Sequence, residues 1–292
     1  MDKNPVLVLA AGSLGDCVLT LPALQGLQES FSVTVAGTEP YRELGADLLG
    51  VSSLLPLDQA LQKIWTGKIE EGFLKSFVKV FLFFKDLDPK LEKTLGALGA
   101  AEVHSTKNPF DEFLKRESFA GEFWREIIRD AGIAPGGSSL PRLGLGPEAR
   151  KRGEVLCEKF GTPQPFVIHP GSGSPSKNAP LSFFKNAAQK AAAESGRKVL
   201  VLWGDAERGW LSELRETFSR LEGVTFLGEP LSLRDLAALF TQCSGYLGND
   251  SGVTHLASAC GAKTFAVFNQ TDSRIWGPQE AVILEALKSL YA

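Results

Sequence analysis

Cysteine is scarce in this chain and is never spaced as it is in metal sites. Four cysteines occur in 292 residues, and none forms a Cys-X-X-Cys pair. Each stands alone in an apolar run, at positions 17, 157, 243 and 260. Isolated cysteines of this kind are typical of small core residues in a reducing compartment.

The chain also lacks the features of nucleic-acid-binding and membrane-spanning proteins. Its formal net charge is −3, and neither half has the basic surface that nucleic-acid binding usually requires. No apolar stretch is long enough to span a bilayer. The first apolar run, residues 6–11, has no basic flank and no cleavage site, so it is typical of a β-strand rather than a signal peptide. We therefore expect a cytoplasmic protein with no nucleic-acid partner.

The composition that remains is that of a globular protein with a substantial core. Hydrophobic residues make up 43% of the chain and charged residues 22%. A length of 292 residues favours two domains. Residues 134–141, Ala-Pro-Gly-Gly-Ser-Ser-Leu-Pro, are dense in turn formers and predict a linker. The first domain is therefore assigned to residues 1–141.

Strand-like and helix-like patterns alternate from end to end, which predicts parallel sheets with crossover helices. Strands are predicted at residues 6–11, 32–36, 52–55, 78–84, 102–104, 166–169, 198–203, 225–227, 245–248 and 264–268. Helices are predicted at residues 14–29, 89–98, 120–131, 147–160, 182–195, 208–221, 232–243, 252–260 and 279–291. The aromatic run 73–85 is interpreted as a core strand in its second half rather than as a membrane contact.

The expected fold class is therefore α/β, with two Rossmann-like, doubly wound domains. The second domain is assigned to residues 142–277, and a closing helix within residues 278–292 is expected to pack back on the first domain. Two such domains facing across a cleft bind ligands at the carboxyl ends of their sheets.

The turn after the first strand contains two glycines and an acid. Gly12 and Gly15 allow a tight backbone turn, and Ser13 precedes the helix that Asp16 enters. A dinucleotide site is the rival interpretation, with Glu39 as the ribose-binding acid. That site needs three glycines, and the Asp16 carboxylate would repel a pyrophosphate. Asp16 is either a proton acceptor or an ordinary first-turn helix acid, and the spacing leaves both open.

Three loops of the second half carry residues suited to a nucleotide diphosphate. The loop after residues 166–169 offers the backbone of Gly173, the hydroxyls of Ser172 and Ser174, and the charge of Lys177, although an ordinary surface loop has the same composition. A helix start at Ser251 and Gly252 is an anion site, with His255 one turn further on as either a ligand or a buried core histidine. Glu207 could bind a ribose diol or act as a helix N-terminal acid.

These residues together resemble family 9 of the glycosyltransferases, the ADP-heptose:lipopolysaccharide heptosyltransferases, over nearly the whole chain. The strongest stretch runs from Gly248 to Gly261, Gly-Asn-Asp-Ser-Gly-Val-Thr-His-Leu-Ala-Ser-Ala-Cys-Gly. Supporting blocks are Gly15-Asp16 with Leu21-Pro-Ala-Leu24, His169-Pro-Gly171 with Lys177, Gly228-Glu-Pro-Leu-Ser-Leu233, Phe268-Asn-Gln-Thr-Asp272 and Gly277-Pro278. The resemblance implies a GT-B fold and an inverting transfer without a metal or other cofactor.

The resemblance also implies roles for individual residues. Asp16 matches the base, in the acceptor-side loop of Gly12, Ser13 and Gly15, and Lys177 matches the pyrophosphate lysine. The donor-binding positions are Ser172, Gly173, Glu207 at the ribose, Leu231 beside the adenine, Asp250 at the donor sugar, and Ser251, Gly252 and His255 at the phosphates.

The implied partners are a nucleotide sugar, expected to be ADP-heptose, and a glycan or glycolipid acceptor. A lipid-linked acceptor would bring the enzyme transiently to the inner face of the membrane. The rival from another class is a family member that binds a nucleotide sugar without turnover, as a sensor or partner subunit. The presence of both Asp16 and Lys177 favours the enzyme. An NAD-dependent oxidoreductase is a third interpretation, and the glycine count opposes it.

The resemblance predicts that turnover survives chelation. The candidate acids Asp16, Glu207 and Asp250 come from separate loops and include no Asp-X-Asp pair, while Lys177 and the helix start at Ser251 supply positive charge. Sugar transfer measured with excess EDTA should differ at most modestly from transfer measured with added Mg²⁺. If EDTA abolished transfer and Mg²⁺ restored it, Asp250 would be the first residue to test as a metal ligand.

Overall fold

A computed structural model describes residues 3–70, 72–107, 109–195 and 198–285. The chain divides into two compact units, Met1–Gly144 and Leu145–Ala292. The division falls just after the segment 134–141 that predicts a linker, where turn formers leave little side-chain volume to bury.

The first unit alternates strands and helices. Its strands are β1 (Asn4–Ala10), β2 (Phe31–Gly37), β3 (Ser53–Pro56), β4 (Lys79–Phe83) and β5 (Val103–His104). Its helices are α1 (Leu14–Ser30), α2 (Glu39–Leu44), α3 (Ala46–Leu49), α4 (Leu57–Trp65), α5 (Pro89–Ala97), α6 (Phe110–Leu114) and α7 (Gly121–Asp130), with a 3₁₀ turn at Leu74–Ser76.

The five strands of the first unit form one parallel sheet in the order β3-β2-β1-β4-β5. The chain builds the sheet outward from β1 to β3 and then returns to the other side of β1 with β4. This reversal separates the loops that follow β1 and β4, as in other doubly wound sheets. Helices on both faces bury the central strands, and Val6, Val8, Leu9 and Ala10 are fully buried.

The second unit repeats the same plan. Its strands are β6 (Phe166–His169), β7 (Val199–Val201), β8 (Val224–Phe226), β9 (Gly245–Asn249), β10 (Thr264–Phe268) and β11 (Val282–Glu285). Its helices are α8 (Pro147–Lys159), α9 (Leu181–Ser195), α10 (Leu211–Phe218), α11 (Leu233–Phe240), α12 (Gly252–Ala259) and α13 (Ser273–Trp276), with 3₁₀ turns at Pro175–Lys177 and Asp205–Trp210.

The second sheet is also parallel, in the order β11-β10-β9-β6-β7-β8. Its strand order reverses between β6 and β9, so the loops after these two strands diverge at the carboxyl edge of the sheet. Two parallel, helix-covered sheets confirm the predicted α/β fold class. The strand and helix types predicted for the second unit are also confirmed as far as β10.

The aromatic run 73–85 enters the core of the first unit in its second half, as predicted. Its second half forms β4, in which Val80, Phe81 and Phe83 are fully buried. The ring of Phe73 packs edge-on against that of Phe77, with their centroids 5.3 Å apart. Within the residues that the structure describes, no helix is long and apolar enough to cross a bilayer.

The helix predicted at residues 279–291 is wrong over the part that the structure describes. Val282–Glu285 forms the edge strand β11, paired in parallel with β10 from Phe265 opposite Val282 onward. Val282 and Ile283 are β-branched and Leu284 is apolar, and an open edge beside β10 favours pairing over an isolated helical turn. Residues 286–292, where the rest of that helix was predicted, lie outside the described residues.

A smaller correction concerns the helix predicted at residues 208–221. The observed helix, α10, begins at Leu211 because a 3₁₀ turn occupies Asp205–Trp210.

The four cysteines have the character of core residues. Cys17, Cys157 and Cys260 are buried and Cys243 is half-buried, and all four are free thiols. Burial raises the pKa of Cys243 to about 12 and raises that of Cys157 as well. These groups therefore stay protonated at neutral pH and offer no thiolate for catalysis.

Candidate functional site

The turn between β1 and α1 is shaped around the Asp16 side chain. Gly12 has φ +140°, and a β-carbon at this position would lie 2.4 Å from Cβ of Asp16. Only glycine fits, because both its dihedral angle and its missing side chain are required. Ser13 donates to Oδ2 of Asp16 from its amide at 2.9 Å and from its hydroxyl at 3.0 Å. Gly15 is half-buried in the same turn.

Lys85 forms an ion pair with the other carboxylate oxygen of Asp16, Oδ1. Lys85 follows β4, which neighbours β1, so the reversal of strand order brings the two residues together. The ammonium group also lies 5.1 Å from the centroid of the Phe110 ring, a cation–π contact. We did not predict a role for Lys85, although its place directly after a neighbouring strand was a usable signal.

The contacts of Asp16 show a first-turn helix acid, and its role as a proton acceptor stays a prediction. Its bond to the Ser13 amide is that of a first-turn acid in a helix cap. Its ion pair with Lys85 lies at the strand reversal, where doubly wound sheets bind ligands. A carboxylate held on both oxygens can still accept a proton from a hydroxyl that approaches it.

In the second unit, the loop after β6 turns one predicted phosphate ligand inward. Ser172 is 5% exposed, and its hydroxyl lies 2.7 Å from both the Ser174 carbonyl and Oδ1 of Asn178. The hydroxyl proton is therefore engaged within the loop, and Ser172 acts as a brace rather than as an open donor. Gly173, by contrast, is exposed at the tip of the loop.

Lys177, at the end of this loop, is joined to Asp250 after β9. Its Nζ donates to Oδ2 of Asp250 at 2.7 Å, and the hydroxyl of Thr271 donates to the same oxygen. The structure thus brings together two residues that the sequence assigned to separate loops. Thr271 was not predicted as a site residue, although it follows β10, the strand next to β9.

Asn249, the last residue of β9, fixes the position of the Lys177 loop. Its Oδ1 accepts from the Ala179 amide at 2.9 Å, and its Nδ2 donates to the Pro170 carbonyl at 2.7 Å. Asn249 is fully buried, so both bonds form away from water, where they constrain the loop strongly. The two ends of the loop are therefore tied to β9, the strand that Asp250 follows.

The start of α12 has the geometry of an anion site. Ser251 is the N-cap residue, and its hydroxyl accepts from the Thr254 amide at 3.3 Å. The first amides of a helix have no acceptor within it, so those of Gly252 and Val253 remain available to an anion. His255 lies one turn further on and is 6% exposed, which agrees better with a packed histidine than with an open ligand.

Glu207 is buried beneath the β6 loop rather than displayed at the surface. Its Oε2 accepts from the Gly204 amide at 2.6 Å and lies 3.3 Å from Nε2 of His169. Burial disfavours the carboxylate, but the bonds from His169 and Gly204 outweigh that effect and lower the pKa of Glu207. Oε1 of Glu207 and Nδ1 of His169 have no hydrogen-bond partner among the described residues.

The carboxylate of Glu207 occupies space that a side chain at position 171 would need. A β-carbon on Gly171 would lie 1.5 Å from Oε1 of Glu207. Glu207 therefore fits only beneath a glycine. Leu231, the remaining predicted residue, is half-buried in the connection between β8 and α11.

The described parts of the chain contain no group of three or more His, Cys, Asp or Glu side chains that could hold a metal ion. Asp86 and Asp88 do form an Asp-X-Asp spacing after β4, which we did not predict as a site. Asp88 accepts from the Lys90 amide at 2.9 Å and so caps α5. The cap explains this acid without a metal.

Comparison with known proteins identifies the family of the chain. A family model described as glycosyltransferase family 9 (heptosyltransferase) matches residues 136–287, just over half of the chain. No curated protein sequence matches the chain significantly.

Three solved structures share the fold over nearly their whole length. A family 9 glycosyl transferase from Veillonella parvula is 18% identical, with a TM-score of 0.75 over 99% of this chain and 88% of the other. The Escherichia coli heptosyltransferase WaaC, solved with ADP, is 17% identical, with a TM-score of 0.70 over 97% and 93%. The E. coli ADP-heptose lipopolysaccharide heptosyltransferase II is 16% identical, with a TM-score of 0.76 over 99% and 91%. These likenesses confirm the GT-B type of fold.

The contact between positions 171 and 207 can be tested by adding one methyl group. Gly171→Ala should lower the free energy of unfolding by about 1–3 kcal/mol, the usual cost of overpacking, because Glu207 must move. Gly173→Ala is the matched control, since a β-carbon there meets nothing within 4 Å. Urea unfolding of both variants measures the difference. Losses of equal size for the two variants would contradict the proposed clash.

Proposed function

Because the chain belongs to glycosyltransferase family 9 (heptosyltransferase), we propose that it is an inverting, metal-independent transferase that uses a nucleotide diphosphate sugar. The donor is ADP-heptose, and the acceptor is a lipopolysaccharide core or a related bacterial surface glycan. The pairing of Lys177 with Asp250 beside the start of α12 carries this proposal. A lysine, free helix amides and a sugar-binding acid then lie together where the strand order of the second sheet reverses, between β6 and β9.

The donor diphosphate is bound by Lys177 and by the amides of Gly252 and Val253. Oriented amides at a helix N-terminus and one ammonium group stabilise the charge that grows on the leaving diphosphate. A divalent ion is then not required for that purpose. Two structures of similar fold support ADP as the nucleotide: WaaC was solved with ADP, and heptosyltransferase II is named for ADP-heptose.

The nucleoside end of the donor lies toward Glu207 and Leu231. Oε1 of Glu207 accepts no hydrogen bond in the described structure, although it is buried. A buried acceptor without a donor is costly, and a ribose hydroxyl that reached Oε1 would satisfy it. Leu231 offers an apolar edge for the adenine.

Asp16 acts as the general base on the acceptor. Its carboxylate takes the proton of an acceptor hydroxyl while that oxygen bonds to the anomeric carbon of the donor sugar. The bond from the anomeric carbon to the phosphate oxygen breaks, and the diphosphate leaves with the electron pair. One displacement inverts the anomeric configuration. If the acceptor is lipid-linked, the reaction takes place at the cytoplasmic face of the inner membrane.

The base role predicts a selective loss of turnover. Asp16→Asn should lower kcat by about 10²–10⁴-fold, the range for losing a general base, with little change in ADP affinity. ADP release from ADP-heptose, in the presence of a deacylated lipopolysaccharide core, measures kcat. Asp58→Asn is the matched control, because Asp58 is an exposed first-turn acid of α4 in the same unit. Near-normal turnover of Asp16→Asn would contradict the role of Asp16 as the general base.

The same assay tests the rival function. A wild-type protein that binds ADP-heptose without releasing ADP would be a sensor rather than an enzyme.

The diphosphate role predicts a selective loss of binding. Lys177→Ala should weaken ADP binding by about 1.5–3 kcal/mol, the usual contribution of a hydrogen bond to a charged group. Adenosine binding should be unaffected, because adenosine has no phosphate. Calorimetric titration measures both ligands, with Lys185→Ala on the exposed face of α9 as the control. Equal losses for ADP and adenosine would show that Lys177 supports the fold instead.

A further inference from the structure

Asp250 neutralises the cation that the proposed donor site needs. One oxygen of Asp250 accepts from Lys177 at 2.7 Å and also from the Thr271 hydroxyl. A diphosphate that approaches Lys177 therefore meets a carboxylate already in contact with it. The diphosphate and the Asp250 carboxylate therefore compete for the same ammonium group.

The two partners of this ion pair differ in their freedom to move. Asp250 follows β9 directly, its amide donates to the Val267 carbonyl at 2.9 Å, and its side chain is 7% exposed. Lys177 ends the short 3₁₀ turn Pro175–Lys177, and its side chain is 31% exposed on a flexible four-carbon stem. If the pair separates, the lysine moves and the carboxylate stays.

We infer that the donor diphosphate takes Lys177 away from Asp250, and that Asp250 thereby makes the site selective for diphosphates that carry a sugar. This inference rests on the proposed function. Once Lys177 turns to the phosphates, Asp250 keeps the Thr271 bond but loses its cation. Hydroxyl groups of the donor sugar replace that lost partner. A bare nucleoside diphosphate has no such groups, so it separates the pair and leaves the carboxylate uncompensated.

The exchange has a consequence for the end of the catalytic cycle. When the sugar has left, the nucleoside diphosphate product no longer satisfies Asp250. Asp250 then competes with the product for Lys177 and weakens its binding. The ion pair therefore favours the incoming donor over the spent nucleotide and promotes product release.

The test is a double-mutant cycle on nucleotide affinity. Calorimetry measures the Kd of ADP for the wild type, Asp250→Asn, Lys177→Ala and the double variant, with UDP and GDP in parallel. If Asp250 simply helped to bind the nucleotide, Asp250→Asn would bind ADP more weakly than the wild type. The exchange predicts the opposite, a Kd for ADP lower by on the order of tenfold, which corresponds to about 1.4 kcal/mol. In the Lys177→Ala background, the same substitution should change the Kd of ADP by less than about twofold, because the cation for which Asp250 and ADP compete is gone.

Two matched variants separate this effect from a general loss of negative charge. Asp272→Asn removes a neighbouring carboxylate that pairs with Arg274 rather than with Lys177, and it should not tighten ADP binding. Thr271→Val removes the second donor to Asp250 and keeps the ion pair, so it should not tighten ADP binding either. Thermal melting checks that each variant folds, and Asp250→Ser replaces Asp250→Asn if the latter does not.

Each result decides between distinct conclusions. If Asp250→Asn binds ADP no more tightly than the wild type, the exchange is wrong and the proposed function stands. If the gain is equal with and without Lys177, or appears in Asp272→Asn as well, simple charge repulsion replaces the exchange. If neither the wild type nor any variant binds ADP, UDP or GDP, the proposed function fails and the exchange fails with it.

Discussion

The reversal of strand order inside each parallel sheet is the constraint on which both candidate sites depend. A chain that builds a sheet to one side of its first strand and then returns to the other side leaves a gap between two loops. In the first unit these loops follow β1 and β4, and in the second they follow β6 and β9. Helices cover the faces of both sheets, so polar side chains collect at the carboxyl edge, where the backbone is exposed.

The two units use the same architecture with opposite placement of charge. In the first unit the acid, Asp16, follows the first strand and the lysine, Lys85, follows the neighbouring one. In the second unit the lysine, Lys177, follows the first strand and the acid, Asp250, follows the neighbouring one. Each site therefore holds one ion pair across its strand reversal. This order of charge is consistent with the proposed base in the first unit and with the proposed diphosphate site in the second.

Local patterns were sufficient to predict much of the fold. Alternating apolar strands and amphipathic helices identified most elements, and the turn chemistry at Gly12 and Gly15 identified the loop of Asp16. The helix predicted from residue 279 failed because Val282 and Ile283 favour a strand and β10 offers them an open edge, which lies outside the local sequence pattern.

The contacts of the site were harder to predict than its residues. Lys85 and Thr271 are distant in sequence from the acids that they contact, and only the order of strands brings them close. Ser172 and Glu207 have the right chemistry, but their hydrogen bonds direct them into the protein. The direction of a side chain depends on its neighbours in space, and composition does not specify it.

The turn at Gly12 also limits how this protein can change over evolutionary time. The space beside the Gly12 α-carbon is filled by the Asp16 side chain, and the φ of +140° excludes most other residues. A lineage cannot gain a side chain at position 12 while it keeps the carboxylate at position 16 in this place. The residues at positions 12 and 16 are therefore expected to be retained or replaced together. Among relatives that retain the acid, we therefore expect no variation at Gly12.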